Sequence, residues 1–347
     1  MAKKKLNVAI VGCGHISKKH FLAINEHQDE MQIIAICDNN KDVLKSHETK
    51  YNIKGYLNLE EMLKKEKLDL VVLCSPSGNH ADQTKLCASY GIHIITEKPM
   101  ATNWKDGLHM VKACKDAGVR LFVVKQNRKN PSIQYLKRAI LEKRFGKIHM
   151  VNINIFWNRS EDYYNKSLWR GTEKLDGGAF MNQASHYIDL LHWLIGPIEK
   201  IQSILSTTRN IESEDTGILN IKWKNGTLGS MCVTMLTYKE NFESSITVIG
   251  EKGTVKIGGV SVNEIQKWEF ENSKDYDVKV LENNQFKSKN FFGYTHYYQN
   301  VVDVFFREAK PDVDGDEGLK TLEILIAPKI SYNKNKSVTL PLDYLLS

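Results

Sequence analysis

Short apolar runs alternate with mixed, helix-like stretches over the first third of the chain. Leu6 to Val11, Met31 to Cys37, Leu68 to Cys74, Ile92 to Thr96 and Leu121 to Lys125 are the runs. Each has strand length and almost no polar interruption. Between them the pattern predicts helices from Ser17 to about Asn25, from about Asn40, from Asn79 or His80 to Gly91, and from Asn103 to Ala117. Asn58 stands as an N-cap with Glu61 at the capping-box spacing, and Gly118 closes the helix before it. Near-continuous apolar strands alternating with helices predict a parallel sheet covered on both faces.

The rhythm then changes. Ser132 to Arg144 reads as a helix between Pro131 and Gly146. Longer strands with partial alternation follow: Ile148 to Phe156, Ile198 to Ser206, Gly217 to Trp223, Leu228 to Leu236, Ser244 to Ile249, and a pair about Gly258-Gly259. They predict an open, largely antiparallel sheet with one solvent-facing side. One helix, Phe180 to Leu194, interrupts them and is ended by Gly196-Pro197. Two late helices, Tyr294 to Ala309 and Gly318 to about Ser331, would pack on either domain. Asn272 to Asn290 is polar and lysine-rich and reads as a surface excursion. The expected division is 1–125 for the first domain and 126–347 for the second.

Composition narrows the classes. With 41% hydrophobic and 26% charged residues, the 347-residue chain is globular rather than disordered. No apolar run approaches a membrane span, and the basic start at Lys3-Lys4-Lys5 lacks the long apolar region of a secretion signal. The expectation is a cytoplasmic protein. The net charge of +7 is scattered over helix faces without interleaved aromatics, which argues against nucleic acid. Six cysteines form no close pair, so they read as reduced core residues, with no metal site.

Chemistry gathers at strand ends. Gly12-Cys13-Gly14-His15-Ile16-Ser17 joins the first strand to the first helix. Gly12 permits a tight turn, Gly14 lets backbone approach a pyrophosphate, and the helix amino terminus faces the negative charge. Ser17 stands where the dinucleotide fingerprint has its third glycine. Asp38, 24 residues beyond Gly14, ends the second strand beside Asn39. A carboxylate there accepts the adenosine ribose hydroxyls and repels a 2′-phosphate, so NAD is expected over NADP; a plain cap at the strand end is the alternative. Ser75, Pro76, Asn79 and His80 follow another strand and would line the ribose and nicotinamide; a plain turn capped by Asn79 is the alternative.

Glu97-Lys98-Pro99 follows the next strand. A charged pair at the end of a buried strand is usually paired or functional. A lysine beside a cationic nicotinamide ring is pushed toward its neutral, basic form. Gln126 and Arg128 offer an amide and a guanidinium fork for sugar hydroxyls and a carboxylate or phosphate, and ordinary loop polarity explains them about as well. In the second domain, Asn182 and His186 are spaced to share one helical face, after Gly177-Gly178. A histidine there would shuttle a proton; a histidine satisfied in the core is the bland reading.

The Gly12-to-His20 stretch, Glu97-Lys98-Pro99, and Gly177-Gly178 through His186 together resemble the glucose–fructose oxidoreductase, inositol dehydrogenase and rhizopine catabolism superfamily. Lys125 to Pro131, Trp169-Arg170-Gly171-Thr172, Asp176-Gly177-Gly178, Met181-Asn182-Gln183 and His186 to Asp189 are similar to the UDP-N-acetylglucosaminuronic acid 3-dehydrogenases. The resemblance implies an α/β protein with a Rossmann dinucleotide-binding domain and a second α+β domain with an open, mostly antiparallel sheet. It implies NAD-dependent oxidation of the sugar C3 hydroxyl to a ketone, in precursor synthesis for bacterial surface polysaccharide (O-antigen). Lys98 and His186 match the active-site lysine and histidine. Gly12, Gly14 and Asp38 match cofactor positions, with His15, Ile16, Asn39, Glu97 and Gln126 taken beside them. Trp169 and Arg170 match a loop reaching cofactor and sugar. Arg128, Arg159, Tyr163, Tyr164 and Asn182 are the remaining substrate candidates. Many superfamily members have aspartate where Asn182 stands, so an Asp–His dyad is not expected and Lys98 becomes the favoured base. The implied partners are a nucleotide sugar, 2-oxoglutarate as reoxidant, and a second copy of the chain in a dimer or tetramer. A related dehydrogenase acting on another sugar or inositol, or a non-catalytic NAD-binding regulator, are the alternatives.

Overall fold

Strands buried on both faces cannot alternate apolar with polar residues, and the first unit shows this directly. Its strands are β1 (Leu6–Val11), β2 (Met31–Cys37), β3 (Lys54–Tyr56), β4 (Leu70–Leu73), β5 (His93–Thr96) and β6 (Leu121–Val123). All four residues of β4 are fully buried. Between the strands run α1 (Ser17–Glu26), α2 (Lys41–Tyr51), α3 (Leu59–Lys65), α4 (His80–Ser89) and α5 (Trp104–Asp116). The computed structural model describes residues 5–259, 261–282 and 292–342. Lys3, Lys4 and the later part of the polar excursion, 283–290, lie outside the described residues.

The six strands are parallel and run in the order β3-β2-β1-β4-β5-β6. The chain winds outward from β1 in one direction and then from β4 in the other. Loops at the carboxyl ends of β1 and β4 therefore part, leaving a crevice where such sheets take ligands. β3 is three residues long, too short for a periodic signal.

The remaining elements are α6 (Pro131–Leu141), β7 (Ile148–Phe156), α7 (Glu161–Asn165), α8 (Ser185–Ile195), β8 (Ile198–Ser206), β9 (Thr216–Trp223), β10 (Leu228–Thr234), β11 (Glu243–Gly250), β12 (Gly253–Gly258), β13 (Glu264–Phe270), α9 (Asp275–Glu282), α10 (Phe292–Phe306), α11 (Gly315–Asn333) and β14 (Val338–Thr339). The first unit is Met1–Gln126 with Asn290–Leu322, and the second is Asn127–Lys289 with Glu323–Ser347. Thus α10 belongs to the first unit. Its Tyr294, Tyr298, Val301 and Val302 join Phe21 and Ile24 of α1 and Val8, Ile10 and Val72 of the sheet in one buried cluster. α11 begins at Gly315, ahead of the expected Gly318, because the Asp314 carboxylate accepts the Glu317 amide (2.9 Å) and caps the helix there.

In the second unit eight strands pair in the order β13-β12-β11-β7-β10-β9-β8-β14. β7 and β10 are parallel and the other pairs antiparallel. Val151, Ile153 and Ile155 of β7, Leu219, Ile221 and Trp223 of β9, and Met231 and Val233 of β10 form a buried face. Alternate positions point the other way, where Ile204 and Ile218 are exposed and stand cross-strand from one another. The polar excursion is only partly superficial. Arg144 holds α9 through a two-oxygen ion pair with Asp277 (2.7 Å each), and Tyr276 and Val280 are buried.

Ile153 is 1% exposed at the middle of the second sheet. Ile153→Ala is expected to cost about 3 kcal/mol of stability through lost burial and the cavity left behind. A denaturant titration of the purified variant measures it as a lowered midpoint.

Candidate active site

The first unit brings its predicted residues to one edge of the parallel sheet. Gly12 has φ +90°, and a Cβ there would lie 2.7 Å from the Cys74 carbonyl carbon and the Ser75 nitrogen. Only glycine lets the β1 turn lie this close to the end of β4. Among the described residues, no atom beyond Gly14 and its chain neighbours lies within 4 Å of where a Cβ on Gly14 would stand, so its backbone opens on free space. Gly14 and His15 are exposed and Ile16 half-buried. Ser17, fully buried, donates its hydroxyl to the Gly14 carbonyl (2.7 Å), so it ties the turn to α1 where the fingerprint uses a glycine.

Asp38 follows β2 and is half-buried. One carboxylate oxygen accepts the Cys13 amide (2.7 Å) and the other the Asn40 amide (2.8 Å). The acid therefore braces the glycine turn. Asn39 is exposed beside it, while Asn40 caps α2. Burial pushes the Cys13 and Cys37 thiols up to about 12, which leaves them unreactive. All six cysteines are free.

Two candidates at this edge take a different part from the one expected. His80 is fully buried, and its ring nitrogens lie 3.1 and 3.0 Å from the Pro99 and Ser75 carbonyl oxygens. It is a strut between two loops, not a surface for a ligand; burial lowers its pKa against those carbonyls. Glu97 is 4% exposed and turns inward. Its carboxylate accepts the Tyr294 hydroxyl (2.7 Å), lies 3.0 Å from His20 Nε2, and takes the Lys98 amide (3.0 Å). Burial alone would raise its pKa; the His20 ring, the Lys98 charge and the Tyr294 hydroxyl outweigh it and hold the carboxyl well below its usual range. Asn79 is exposed and makes no side-chain cap bond to α4. Ser75 and Pro76 are half-buried, and the Ser75 hydroxyl donates to Gln83 (2.6 Å). Lys98 is half-buried, and Gln126 is buried.

The second unit gathers its own set. Asp176, 1% exposed, accepts the Gly171 amide (2.7 Å) through one oxygen and the Asn182 side-chain amide through the other. Glu214 accepts the Phe180 amide (3.0 Å), and its carbonyl accepts the Ala179 amide (2.9 Å). A Cβ on Gly178, at φ +98°, would lie 2.4 Å from the Glu214 carboxylate. The Ala184 amide bonds the Ala179 carbonyl five residues back (2.9 Å) instead of four, so 179–184 forms turns and α8 starts at Ser185, not at Phe180. Asn182 lies before the helix and His186 in its first turn, rather than on one helical face.

Arg128 is 6% exposed and grips Asp189 with two parallel bonds (2.7 and 2.6 Å). That edge of its fork is committed to a buried ion pair, not to a ligand carboxylate. Tyr164 is also buried, at 6%, and its ring packs in the interior instead of meeting a ligand. Tyr163 is half-buried and central to a ladder. The Arg159 guanidinium lies 5.0 Å from the Trp157 ring and 5.3 Å from Tyr163, and Arg170 lies 4.1 Å from Tyr163 and 5.6 Å from Trp169. Arg170 also donates to the Tyr163 carbonyl (2.8 Å).

Sequence reasoning missed Glu214, Asp176 as a clamp, and the tyrosines behind Glu97. Tyr294 and Tyr298 carry a trace of the signal, being spaced to share a helix face, but that face reads equally well as apolar core. Among the described residues no cluster suits a metal, and no helix is long and apolar enough to cross a membrane.

Burial raises the Glu214 pKa to about 7, above its value in the unfolded chain. Stability is therefore lost as pH rises from the ordinary glutamate range toward 7, because the folded form must give up a proton it holds tightly. Glu214→Gln keeps an acceptor for Phe180 and is expected to melt higher than the parent at pH 8, with the gap closing by pH 5. Thermal melts across that range measure it.

Two sequence profiles of one family match the chain: the oxidoreductase family NAD-binding Rossmann fold over residues 6–125, and its C-terminal alpha/beta domain over 137–340. Myo-inositol 2-dehydrogenase of Thermotoga maritima is 23% identical over 96% of this chain and 98% of its own. The WlbA dehydrogenase of Chromobacterium violaceum, solved in complex with NADH and UDP-GlcNAcA, is 50% identical over 99% of this chain and 98% of its own, with a TM-score of 0.94. That of Bordetella pertussis, solved with the same two ligands, is 45% identical over 99% and 100%, with a TM-score of 0.93. The glycine turn, the acid after β2 and the two matched domains place this chain in the glucose–fructose oxidoreductase, inositol dehydrogenase and rhizopine catabolism family of NAD-dependent oxidoreductases.

Proposed function

We propose that the protein oxidises the C3 hydroxyl of UDP-N-acetylglucosaminuronic acid to a ketone, with Lys98 as the base. The observation that carries this is Lys98 itself. It is half-buried at the end of β5, on the sheet edge that also carries the Gly12 turn and Asp38, and its amide is fixed by a buried carboxylate. Half-identity to a dehydrogenase crystallised with NADH and UDP-GlcNAcA supports the choice of substrate.

The residues at this edge fit the cofactor. The open backbone at Gly14 and the start of α1 would take the pyrophosphate, and Asp38 the adenosine ribose. Bound NAD supplies the acceptor for the hydride leaving the sugar carbon. Lys98, in its amine form, takes the hydroxyl proton as that hydride departs. His186 orients the hydroxyl or passes the proton onward. With one edge of Arg128 spent on Asp189, recognition of the anionic groups falls to Arg159 and Arg170. Their ladder with Trp157, Tyr163 and Trp169 combines stacking surfaces with positive charge, as a nucleoside diphosphate requires. The reading also assigns the protein to O-antigen precursor synthesis in the cytoplasm, as a dimer or tetramer. The exposed Ile204 and Ile218 on the open sheet are the apolar surface for such pairing.

The test is NADH formation with UDP-N-acetylglucosaminuronic acid against UDP-N-acetylglucosamine, each with and without 2-oxoglutarate to reoxidise retained NADH. Turnover of the uronate alone is expected. Turnover of myo-inositol and neither nucleotide sugar would replace this reading with that of a polyol dehydrogenase. Lys98→Ala is expected to bind NAD within about threefold of the parent and to lose about 100-fold or more in kcat. Asp38→Asn is expected to weaken NAD about tenfold and to narrow the preference over NADP, read by fluorescence titration of both cofactors.

A further inference from the structure

We infer that Glu97 is a positioning residue for Lys98: its buried carboxylate, wired to α1 and α10, sets both the lysine's backbone and the ease with which its ammonium gives up a proton. The inference rests on the proposed role of Lys98 as base, and it adds how that base is tuned.

The geometry is a relay of hydrogen bonds inside the first unit. Tyr298 of α10 bonds His20 Nδ1 (2.7 Å), and His20 Nε2 bonds Glu97 Oε1 (3.0 Å). Tyr294, one helical turn before Tyr298, donates to the same oxygen (2.7 Å). The other oxygen, Oε2, accepts the Lys98 amide (3.0 Å). The His20 ring meets Tyr294 and Tyr298 edge-on, at 5.1 and 5.8 Å between centroids, so it has no room to turn. Both carboxylate oxygens are thus fixed, and through Oε2 so is the start of the Lys98 loop.

The charge matters as much as the shape. The titratable groups whose charge couples to Glu97 are His20 on α1, Cys74 at the end of β4, His80 on α4, Lys98, and Tyr294, Tyr297 and Tyr298 on α10. Burial drives the three tyrosines and Cys74 well above their ordinary values, so none carries a negative charge. Glu97 is then the one anion in the group, and its coupling to Lys98 holds in both directions: the ammonium favours the carboxylate, and the carboxylate favours the ammonium. A base must be free of its proton before it takes another. Glu97 therefore sets the pH below which Lys98 stops working.

The experiment is the pH profile of kcat for Glu97→Gln, with NAD affinity and the thermal midpoint measured alongside. Glutamine keeps the size and one acceptor and removes the charge. The acidic limb is expected to move down by about one pH unit, with NAD affinity within about threefold of the parent. Tyr294→Phe works the other way. It keeps the charge but strips one donor from it, so the carboxylate presses harder on Lys98 and the acidic limb moves up. A purely structural role would slow both variants without moving the limb in opposite directions. If Glu97→Gln does not fold, an upward shift in Tyr294→Phe still supports the inference. A folded variant whose limb stays in place overturns it. Undiminished turnover by Lys98→Ala would instead remove the base on which it rests, so the two failures are told apart.

Discussion

A sheet buried on both faces has only its ends free for chemistry. In the first unit six parallel strands all point the same way, and order reversal between β1 and β4 parts the loops there. Everything that reads as cofactor chemistry follows from that constraint. The glycine turn, Asp38, Ser75 and Lys98 stand at the tips of neighbouring strands, the end at which sheets of this kind take ligands. The sheet's lack of polar relief also explains the character of the supports behind them. Ser17, His80 and Glu97 are buried, and each is used up by specific hydrogen bonds. Groups of this kind persist in an interior only when every strong donor or acceptor is answered.

The second unit solves a different problem. Its sheet has one covered side, so its functional candidates sit on loops, on the short α7 and on the first turn of α8. Loops need anchors. Asp176 and Glu214 supply them by accepting backbone amides at Gly171 and Phe180, with Gly178 leaving room for the second carboxylate. Arg128 and Asp189 form a third anchor between the segment before α6 and α8. Removing one partner of such a pair leaves a buried charge without its counter-charge, which is costlier than losing the bond alone.

Much of this was legible in the residues. Near-continuous apolar runs showed the parallel sheet, and partial alternation showed the second one. The Gly12 turn and Asp38 were readable because their spacing follows from backbone geometry at one strand–turn–helix unit. What the chain hid was mostly long-range. His20 meets Tyr298 across 278 positions and Glu97 meets Tyr294 across 197, and no local pattern announces either. The same holds for Arg128, whose fork suits a ligand carboxylate as well as it suits Asp189. The start of α8 differs from the expected one because Glu214, before a distant strand, ties down Ala179 and Phe180, and the Ala184 amide reaches five residues back to Ala179. Periodicity reports what a segment prefers by itself, not which partner arrives first.

The double duty of Asp38 has a consequence for how this family can drift. Its two oxygens already hold the Cys13 and Asn40 amides while its position suits a ribose. Retargeting the protein to a phosphorylated cofactor by changing this acid alone would loosen the glycine turn that its carboxylate braces. A lineage making that switch would first have to find another acceptor for the Cys13 amide, so the order of substitutions is constrained, and single-step converts should be rare among its descendants.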